Sequence, residues 1–173
     1  VHGKLRSCNC LIDGRFVLKI SDFGLQTLTT PSELVKDNVY FTKLLWVAPE
    51  LLLETTVLGN PATQKGDVYS FSIILEEIVV RGGPFDVARQ TMAIQDILQL
   101  IKARETPAFR PDISGRDCPD DLSELMIRCW ADIPEERPTF EVIRGIIRRI
   151  MKGYCENLMD DLLRRMEQYA NNL

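Results

Sequence analysis

The sequence predicts an α+β fold in which a short β-hairpin precedes a long loop and a run of helices. Strand-like apolar segments flank Asp13–Gly14, and apolar residues recur at helical spacing from Gly66 onward. Hydrophobic residues make up 45% of the 173-residue chain and charged residues 27%, a balance typical of globular proteins with a buried core. This order of elements suits the larger lobe of a two-lobed α+β enzyme.

The hairpin is predicted between Cys10 and Ile20, with 10–12 and 16–20 as its strands. Residues 21–60 are polar and show little periodicity, which predicts a long loop of the kind that usually serves a function.

The rest of the chain is predicted to be helical. An apolar segment, 66–81, predicts a helix buried on most sides, and Gly82–Gly83–Pro84 ends it. Two further segments, 91–103 and 121–130, each carry one apolar face, and residues 106–119 between them predict a loop. Thr139 is the expected N-cap of a last helix.

Charge and composition exclude several classes of protein. The net charge is −4, which gives no electrostatic basis for binding nucleic acid. No run of about 18 apolar residues predicts a membrane span. Five cysteines and one histidine, without zinc-ligand spacing, argue against a Cys/His metal site. Because Val1 is not a methionine, we expect the chain to be a piece of a longer protein.

Three motifs occur in a fixed order. They are His2-Gly3-Lys4-Leu5-Arg6-Ser7-Cys8-Asn9, then Asp22-Phe23-Gly24, then Ala48-Pro49-Glu50. They resemble the protein-kinase set H-R-D-L-x-x-x-N, D-F-G and A-P-E, with the predicted hairpin between the first two. The resemblance implies a protein-kinase-like fold, represented mostly by its helical C-terminal lobe.

In kinases, the Asn of the first motif and the Asp of D-F-G hold the Mg²⁺ ions that neutralise the nucleotide phosphates. By this resemblance Asn9 and Asp22 are the nucleotide-binding and metal-binding candidates, with ATP and Mg²⁺ as ligands. Lys4 stands where kinases carry the Asp that accepts the proton of the substrate hydroxyl. No catalytic residue is therefore expected, and the resemblance implies a pseudokinase. Gly3 also replaces the usual Arg.

Three further residues match structural positions of kinases. Glu50 and Arg137 correspond to an ion pair that ties the activation segment to the helical subdomain. Asp67 corresponds to the Asp at the start of a buried helix that braces the catalytic loop. From its position at a helix start, Asp67 is also expected to cap that helix, a role compatible with the first.

Several stretches narrow the resemblance to the kinase-homology region of receptor guanylyl cyclases. They are 9–20, 45–52, 66–71 and, most discriminating, the tail 157–173, which looks like the start of the helical linker to a cyclase domain. We therefore predict a partial kinase-like domain over 1–152 and the start of a dimerisation linker over 153–173.

The tail has its own periodicity. Near-apolar residues separated by three or four positions form a heptad seam with one extra four-residue step, typical of an interrupted coiled coil: Met151, Cys155, Leu158, Leu162, Met166, Tyr169 and Leu173. Leu158, Leu162, Met166 and Tyr169 are the expected dimer contacts. An amphipathic helix packed on its own lobe is the alternative.

The resemblance implies a regulatory segment of a receptor that converts GTP to cyclic GMP and pyrophosphate. ATP with Mg²⁺ would be an allosteric ligand, and GTP with Mg²⁺ or Mn²⁺ would bind a cyclase domain outside this chain. The expected partners are a second copy and the cyclase domain, with no nucleic acid. The expected location is the cytoplasmic side of a single-pass protein of the plasma membrane. The alternatives are an active tyrosine-kinase-like enzyme and a pseudokinase scaffold without a cyclase.

Overall fold

The computed structural model describes residues 1–23, 38–53 and 62–154. By compactness the chain divides into Val1–Thr139 and Phe140–Leu173. The described elements are β1 Cys10–Ile12, β2 Leu18–Ile20, α1 Asn38–Leu44, α2 Pro49–Leu53, α3 Gln64–Val80, α4 Asp86–Arg89, α5 Ile94–Ala103, α6 Asp120–Cys129 and α7 Phe140–Tyr154. The α+β class is thus confirmed, with helices in the majority.

The predicted hairpin is present, but its turn is longer than expected. β1 and β2 pair antiparallel in the register Cys10 to Ile20 and Ile12 to Leu18. Asp13 Oδ1 accepts hydrogen bonds from the N–H groups of Arg15 and Val17, at 2.9 and 3.0 Å. These bonds lower the pKa of Asp13. Because the carboxylate organises a five-residue turn, β2 begins at Leu18 and not at residue 16, and Phe16 takes the left-handed conformation, with φ 59°.

The prediction of a continuous loop over 21–60 was wrong. Two helices, α1 and α2, lie inside that range, while 24–37 and 54–61 fall outside the described residues. The segment between the helices is anchored by burial, since Leu45, Trp46 and Ala48 are all in the core. Pro49 opens α2, a first-turn position that suits its fixed φ and missing N–H. Tertiary burial, which a polar local pattern does not reveal, holds these helices in place.

The longest helix, α3, passes through the core of the first unit, as its apolar sequence predicts. Val68, Tyr69 and Ile73 are all almost completely buried. Its first turn is capped by Thr63, whose side chain accepts from Gly66 N at 2.9 Å. The helix ends at Arg81, which takes the left-handed conformation expected just beyond a helix C-terminus.

The remaining helices of the first unit pack around α3 and α2. α6 lies against α3, and α5 contacts both α1 and α2. Their buried residues match the predicted apolar faces, including Ile97, Leu98 and Ile101 on α5 and Leu125 and Met126 on α6. Because α5 contacts both α1 and α2, it helps to fix the position of the segment between them, which contains Trp46.

The second unit is described through α7 only. Its helix begins at Phe140, directly after the predicted cap residue, and runs across the predicted domain boundary at 152/153. The predicted dimer contacts Leu158, Leu162, Met166 and Tyr169 lie outside the described residues. Within the described ranges, no helix has both the length and the apolar character needed to cross a membrane.

Candidate functional site

The first motif, hereafter the catalytic-loop segment (residues 2–9), is anchored to α3 through Asp67. The N–H of His2 donates to Asp67 Oδ2 at 2.7 Å, and the N–H of Gly3 donates to Oδ1 at 2.8 Å. Thr63 caps α3 one turn earlier, so the capping role considered for Asp67 is wrong. The carboxylate instead joins residues separated by 65 positions in the chain. Hydrogen bonds to a charged acceptor are stronger than neutral ones.

His2 organises the segment from within. Its Nε2 lies 2.8 Å from the carbonyl of Ser21, and its Nδ1 lies 3.1 Å from the N–H of Lys4. A carbonyl only accepts and a backbone N–H only donates, so these two contacts assign the proton to Nε2. Gly3 follows with φ 76°, a conformation that a residue with a Cβ rarely adopts. The two residues set the direction in which the chain enters Lys4.

Both backbone polar groups of Lys4 are hydrogen-bonded. Its N–H is bound by His2, and its carbonyl accepts from Asn9 Nδ2 at 2.8 Å. Lys4 lines a cleft of about 260 Å³. Among the described residues that line this cleft there is no Asp or Glu.

The two predicted metal ligands occupy different environments. Asn9 is 4% exposed. Its side-chain NH₂ group donates to the backbone carbonyl of Lys4, and its own backbone carbonyl accepts from Ser21 N at 2.9 Å. Asp22 is exposed and has φ 64°. Its neighbour Phe23 is 70% exposed, and Gly24 lies outside the described residues. Amide and carboxylate oxygens are hard donors of the kind that Mg²⁺ prefers, so the residue types fit the ion.

The described ranges contain no group of three or more His, Cys, Asp and Glu residues that could hold a metal ion. An ion at Asn9 and Asp22 would therefore need oxygens from a bound nucleotide or from water. This is the usual way in which Mg²⁺ is held beside phosphates.

Glu50 and Arg137 form a two-pronged ion pair. Arg137 Nη1 and Nη2 donate to Glu50 Oε1 and Oε2 at 2.7 and 2.8 Å. The remaining Arg137 donors reach backbone carbonyls, including Nε to Ala131 O at 2.8 Å and Nη1 to Lys65 O at 3.0 Å. Arg137 is only 1% exposed, yet its buried charge is fully hydrogen-bonded.

Tyr69 connects this ion pair with a second cationic cluster. The guanidinium carbons of Arg137 and Arg110 lie 5.4 and 5.6 Å from the centroid of its ring. Burial raises the pKa of Tyr69 to about 12, although the two cations oppose the shift. Arg110 also pairs with Asp132 at 3.0 Å. Aromatic and ionic contacts therefore join the start of α2 to the segment that follows α6.

Sequence reasoning missed Glu77, which joins the catalytic-loop segment to the segment before α2. Its Oε1 accepts from Ser7 Oγ and its Oε2 accepts from Trp46 Nε1, both at 2.9 Å. Burial raises the pKa of Glu77, while these two hydrogen bonds lower it. The available signal was a pair of adjacent carboxylates, Glu76 and Glu77, within an otherwise apolar helix.

Glu76, the neighbour of Glu77 on α3, has different partners. Its side chain is 1% exposed, Oε2 accepts from Phe85 N at 3.1 Å, and Oε1 is buried without a hydrogen bond from the described residues. Burial raises the pKa of Glu76 to about 7. Phe85 takes the left-handed conformation directly before α4, so this carboxylate supports a strained turn.

Comparison with known proteins agrees with this geometry. Residues 1–147 match the family described as protein tyrosine and serine/threonine kinase. Atrial natriuretic peptide receptor 2 of Rattus norvegicus is 46% identical over 99% of this chain. Retinal guanylyl cyclase 2 of Homo sapiens is 41% identical over 100% of it, and a receptor-type guanylate cyclase of Caenorhabditis elegans is 40% identical over 99%. The chain spans only 15 to 16% of the length of these relatives.

Proposed function

The chain belongs to the protein tyrosine and serine/threonine kinase family, and we propose that it is a regulatory pseudokinase segment of a receptor guanylate cyclase. Relatives named as receptors and guanylyl cyclases match it from end to end. In this role the segment changes conformation without transferring phosphate, and its conformation regulates a cyclase domain.

One observation carries the proposal: Lys4 occupies the place of the proton acceptor. Phosphoryl transfer to a hydroxyl needs a group that orients the nucleophile and accepts its proton. General-base catalysis contributes about 10²–10⁴ in rate. An ammonium has no lone pair to accept a proton, and the described residues of the cleft supply no carboxylate in its place.

Three sets of contacts would transmit a conformational change through this segment. Asp67 binds the catalytic-loop segment, and Arg137 binds Glu50 at the start of α2. Glu77 joins Ser7 to Trp46. The segment and the chain before α2 are therefore both linked to α3. A change at one can shift the other, because packed elements respond by discrete rearrangement.

Asn9 and Asp22 would hold Mg²⁺ with ATP if nucleotide is the allosteric signal. The bound ion would neutralise phosphate charge. The buried Asn9 amide would keep its oxygen in a fixed orientation, because its nitrogen is bound to the Lys4 carbonyl. The exposed Asp22 would supply the negative charge.

The protein that contains this segment would convert GTP to cyclic GMP and pyrophosphate in its cyclase domain, with Mg²⁺ or Mn²⁺. We propose that residues 153–173 begin a helical linker through which two copies dimerise. The segment would then lie on the cytoplasmic side of a single-pass membrane protein, and its partners would be a second copy and the cyclase domain.

The test measures cyclic GMP production by the complete protein in membranes, with and without ATP. We expect ATP to raise the rate. We expect Asp67→Asn to reduce that increase while leaving the rate without ATP unchanged, because the catalytic-loop segment loses its tie to α3. Asp96→Asn, an exposed carboxylate on α5, is the matched control. Absence of GTP cyclisation would refute the cyclase assignment, and an unchanged ATP response in Asp67→Asn would refute the relay.

A further inference from the structure

Two cysteines, Cys8 and Cys10, stand on either side of Asn9 where the catalytic-loop segment meets β1. Cys8 is exposed and Cys10 is half-buried. Ser7–Asn9 forms a single 3-10 turn, which the N–H of Cys10 closes by donating to Ser7 O. All four cysteines within the described ranges are free thiols. The turn therefore carries two thiols, one open to solvent and one partly covered.

The turn holds the two cysteines at a distance that suits a disulfide. The separation of their Cα atoms is set by the backbone of Asn9, and in a 3-10 turn it is about 5–6 Å. Disulfides join Cα atoms that are about 4.4–6.8 Å apart. Burial raises the pKa of Cys10, and the neighbouring Cys8 thiol adds to this shift, so the two side chains are close enough to interact.

The contacts that a disulfide would break are weak. Cys8 Sγ donates to Asn9 Oδ1 at 3.6 Å, and Cys10 Sγ donates to Arg6 O at 3.5 Å. An S–H group is a weak donor, and Arg6 O also accepts from Asn9 N at 3.0 Å. The Asn9 side chain is held separately, through its nitrogen, by the carbonyl of Lys4. Bridging the two sulfurs therefore leaves the stronger hydrogen bonds of the turn in place.

We propose that Cys8 and Cys10 form a reversible disulfide when the protein encounters a peroxide. Disulfides in reducing compartments are usually transient and redox-sensing, which suits a pair of free thiols in one turn. The order of reaction follows from exposure. The thiolate is the reactive form and burial disfavours it, so the exposed Cys8 meets the oxidant first and Cys10 resolves the product.

The chemistry balances in two steps. The Cys8 thiolate attacks one peroxide oxygen, the O–O bond breaks, and the products of hydrogen peroxide are a sulfenic acid and water. The Cys10 sulfur then attacks the sulfenic sulfur, so that the S–S bond forms as the S–O bond breaks. The leaving hydroxide takes the Cys10 proton and becomes water. In total the two thiols lose two electrons, and one peroxide gains them.

The disulfide would also change the surroundings of Asn9. It would remove the Cys8 S–H group from Asn9 Oδ1, the oxygen proposed to hold Mg²⁺. This consequence rests on the proposed function, but the disulfide itself does not. It forms or fails to form in the absence of nucleotide and cyclase activity, so its failure and the failure of the proposed function are distinguishable.

The test treats the full chain with hydrogen peroxide, blocks the remaining thiols with iodoacetamide and maps tryptic peptides by mass. Cleavage after Arg6 and Arg15 releases a peptide, 7–15, that contains Cys8 and Cys10 and no other cysteine. We expect this peptide to lose two hydrogens and to carry no alkyl group, and we expect dithiothreitol to restore both alkylation sites. Alkylation of either cysteine after peroxide, a disulfide between two copies, or Cys8 sulfinic acid beside a free Cys10 would overturn the proposal.

Single substitutions check the assigned order. In Cys10→Ser, Cys8 should remain a sulfenic acid that dimedone traps, because its resolving thiol is gone. In Cys8→Ser, Cys10 should stay open to alkylation. Cys118→Ser removes a half-buried thiol outside the turn and should leave the disulfide unchanged. Dimedone labelling at Cys10 in Cys8→Ser, with none at Cys8 in Cys10→Ser, would refute this order.

Discussion

Arg137 holds Glu50 with both of its terminal nitrogens, at 2.7 and 2.8 Å, across 87 positions of the chain. The Arg137 side chain is completely buried, whereas the Glu50 side chain keeps 15% of its exposure. A buried charge of this kind contributes mainly through what is lost when its partner is removed. The pair therefore serves as a fixed joint between α2 and the segment that precedes α7.

Removing Arg137 should destabilise the first unit strongly. We expect Arg137→Met to lower the free energy of unfolding by about 3–5 kcal/mol, because Glu50 and three backbone carbonyls lose their donor. Urea unfolding monitored by circular dichroism measures the change. Arg116→Met, which replaces an exposed cation, should change stability by less than about 0.5 kcal/mol. Similar midpoints for the two variants would contradict the structural role of the pair.

Asp67→Asn should loosen the catalytic-loop segment locally. The new NH₂ group cannot accept a hydrogen bond, so one of the N–H groups of His2 and Gly3 loses its acceptor. We expect faster hydrogen exchange at these two amides, with the α6 amides unaffected. Asp96→Asn is the control and should leave both regions unchanged. If exchange in the segment stays slow, another contact must anchor it.

Glu76 should make stability depend on pH. Its pKa of about 7 in the folded chain lies above the ordinary glutamate value of 4.5, so between these values the folded state retains a proton that the unfolded state has released. Stability should therefore fall as pH rises from about 4.5 to 7 and then level off, by no more than about 3 kcal/mol. Glu76→Gln should flatten this part of the profile. Glu124→Gln, at an exposed position on α6, should preserve it. Glu77, whose pKa burial also raises, should leave a smaller slope in Glu76→Gln, and an unchanged slope would assign the pH dependence to another group.

Gly66 should resist even a methyl group. A Cβ at this position would lie 2.6 Å from Leu51 Cδ1 and 3.1 Å from Thr63 Oγ1. We expect Gly66→Ala to cost about 1–3 kcal/mol despite the higher helix propensity of alanine, because α2 and α3 would be forced apart. Gly145→Ala, where no atom lies within 4 Å, should instead be neutral or stabilising. Thermal unfolding compares them, and a stabilised Gly66→Ala would show that Leu51 yields freely.

How far the sequence could predict this structure depends on the distance over which each feature is determined. The spacing of apolar residues between Val68 and Ile78 predicts α3, and the apolar segments on either side of Asp13–Gly14 predict the hairpin. The order of the three motifs assigns Lys4 and Asp22 to their positions in the kinase pattern from the sequence alone. These features are local, and local periodicity and turn chemistry report them.

The features that the sequence did not predict are those determined by contacts between residues far apart in the chain. α1 and α2 depend on the burial of Leu45 and Ala48 against other helices. The role of Glu77 rests on Ser7, 70 positions away, and on Trp46. The sequence also predicts Asp67 as the cap of α3, because Asp favours that position, but the helix begins earlier and Thr63 caps it. Because Thr63 caps the helix, the Asp67 carboxylate is available to bind the N–H groups of His2 and Gly3.

Phosphate transfer by the complete kinase-like domain tests the central claim most directly. Labelled ATP with Mg²⁺ and a peptide substrate are incubated with the unmodified domain, with Asp22→Asn and with Lys4→Asp. We expect no transfer above background by the unmodified domain, because Lys4 stands in place of the group that accepts the proton of the substrate hydroxyl. Transfer at ordinary kinase rates, about 1–100 s⁻¹, that disappears in Asp22→Asn would contradict it.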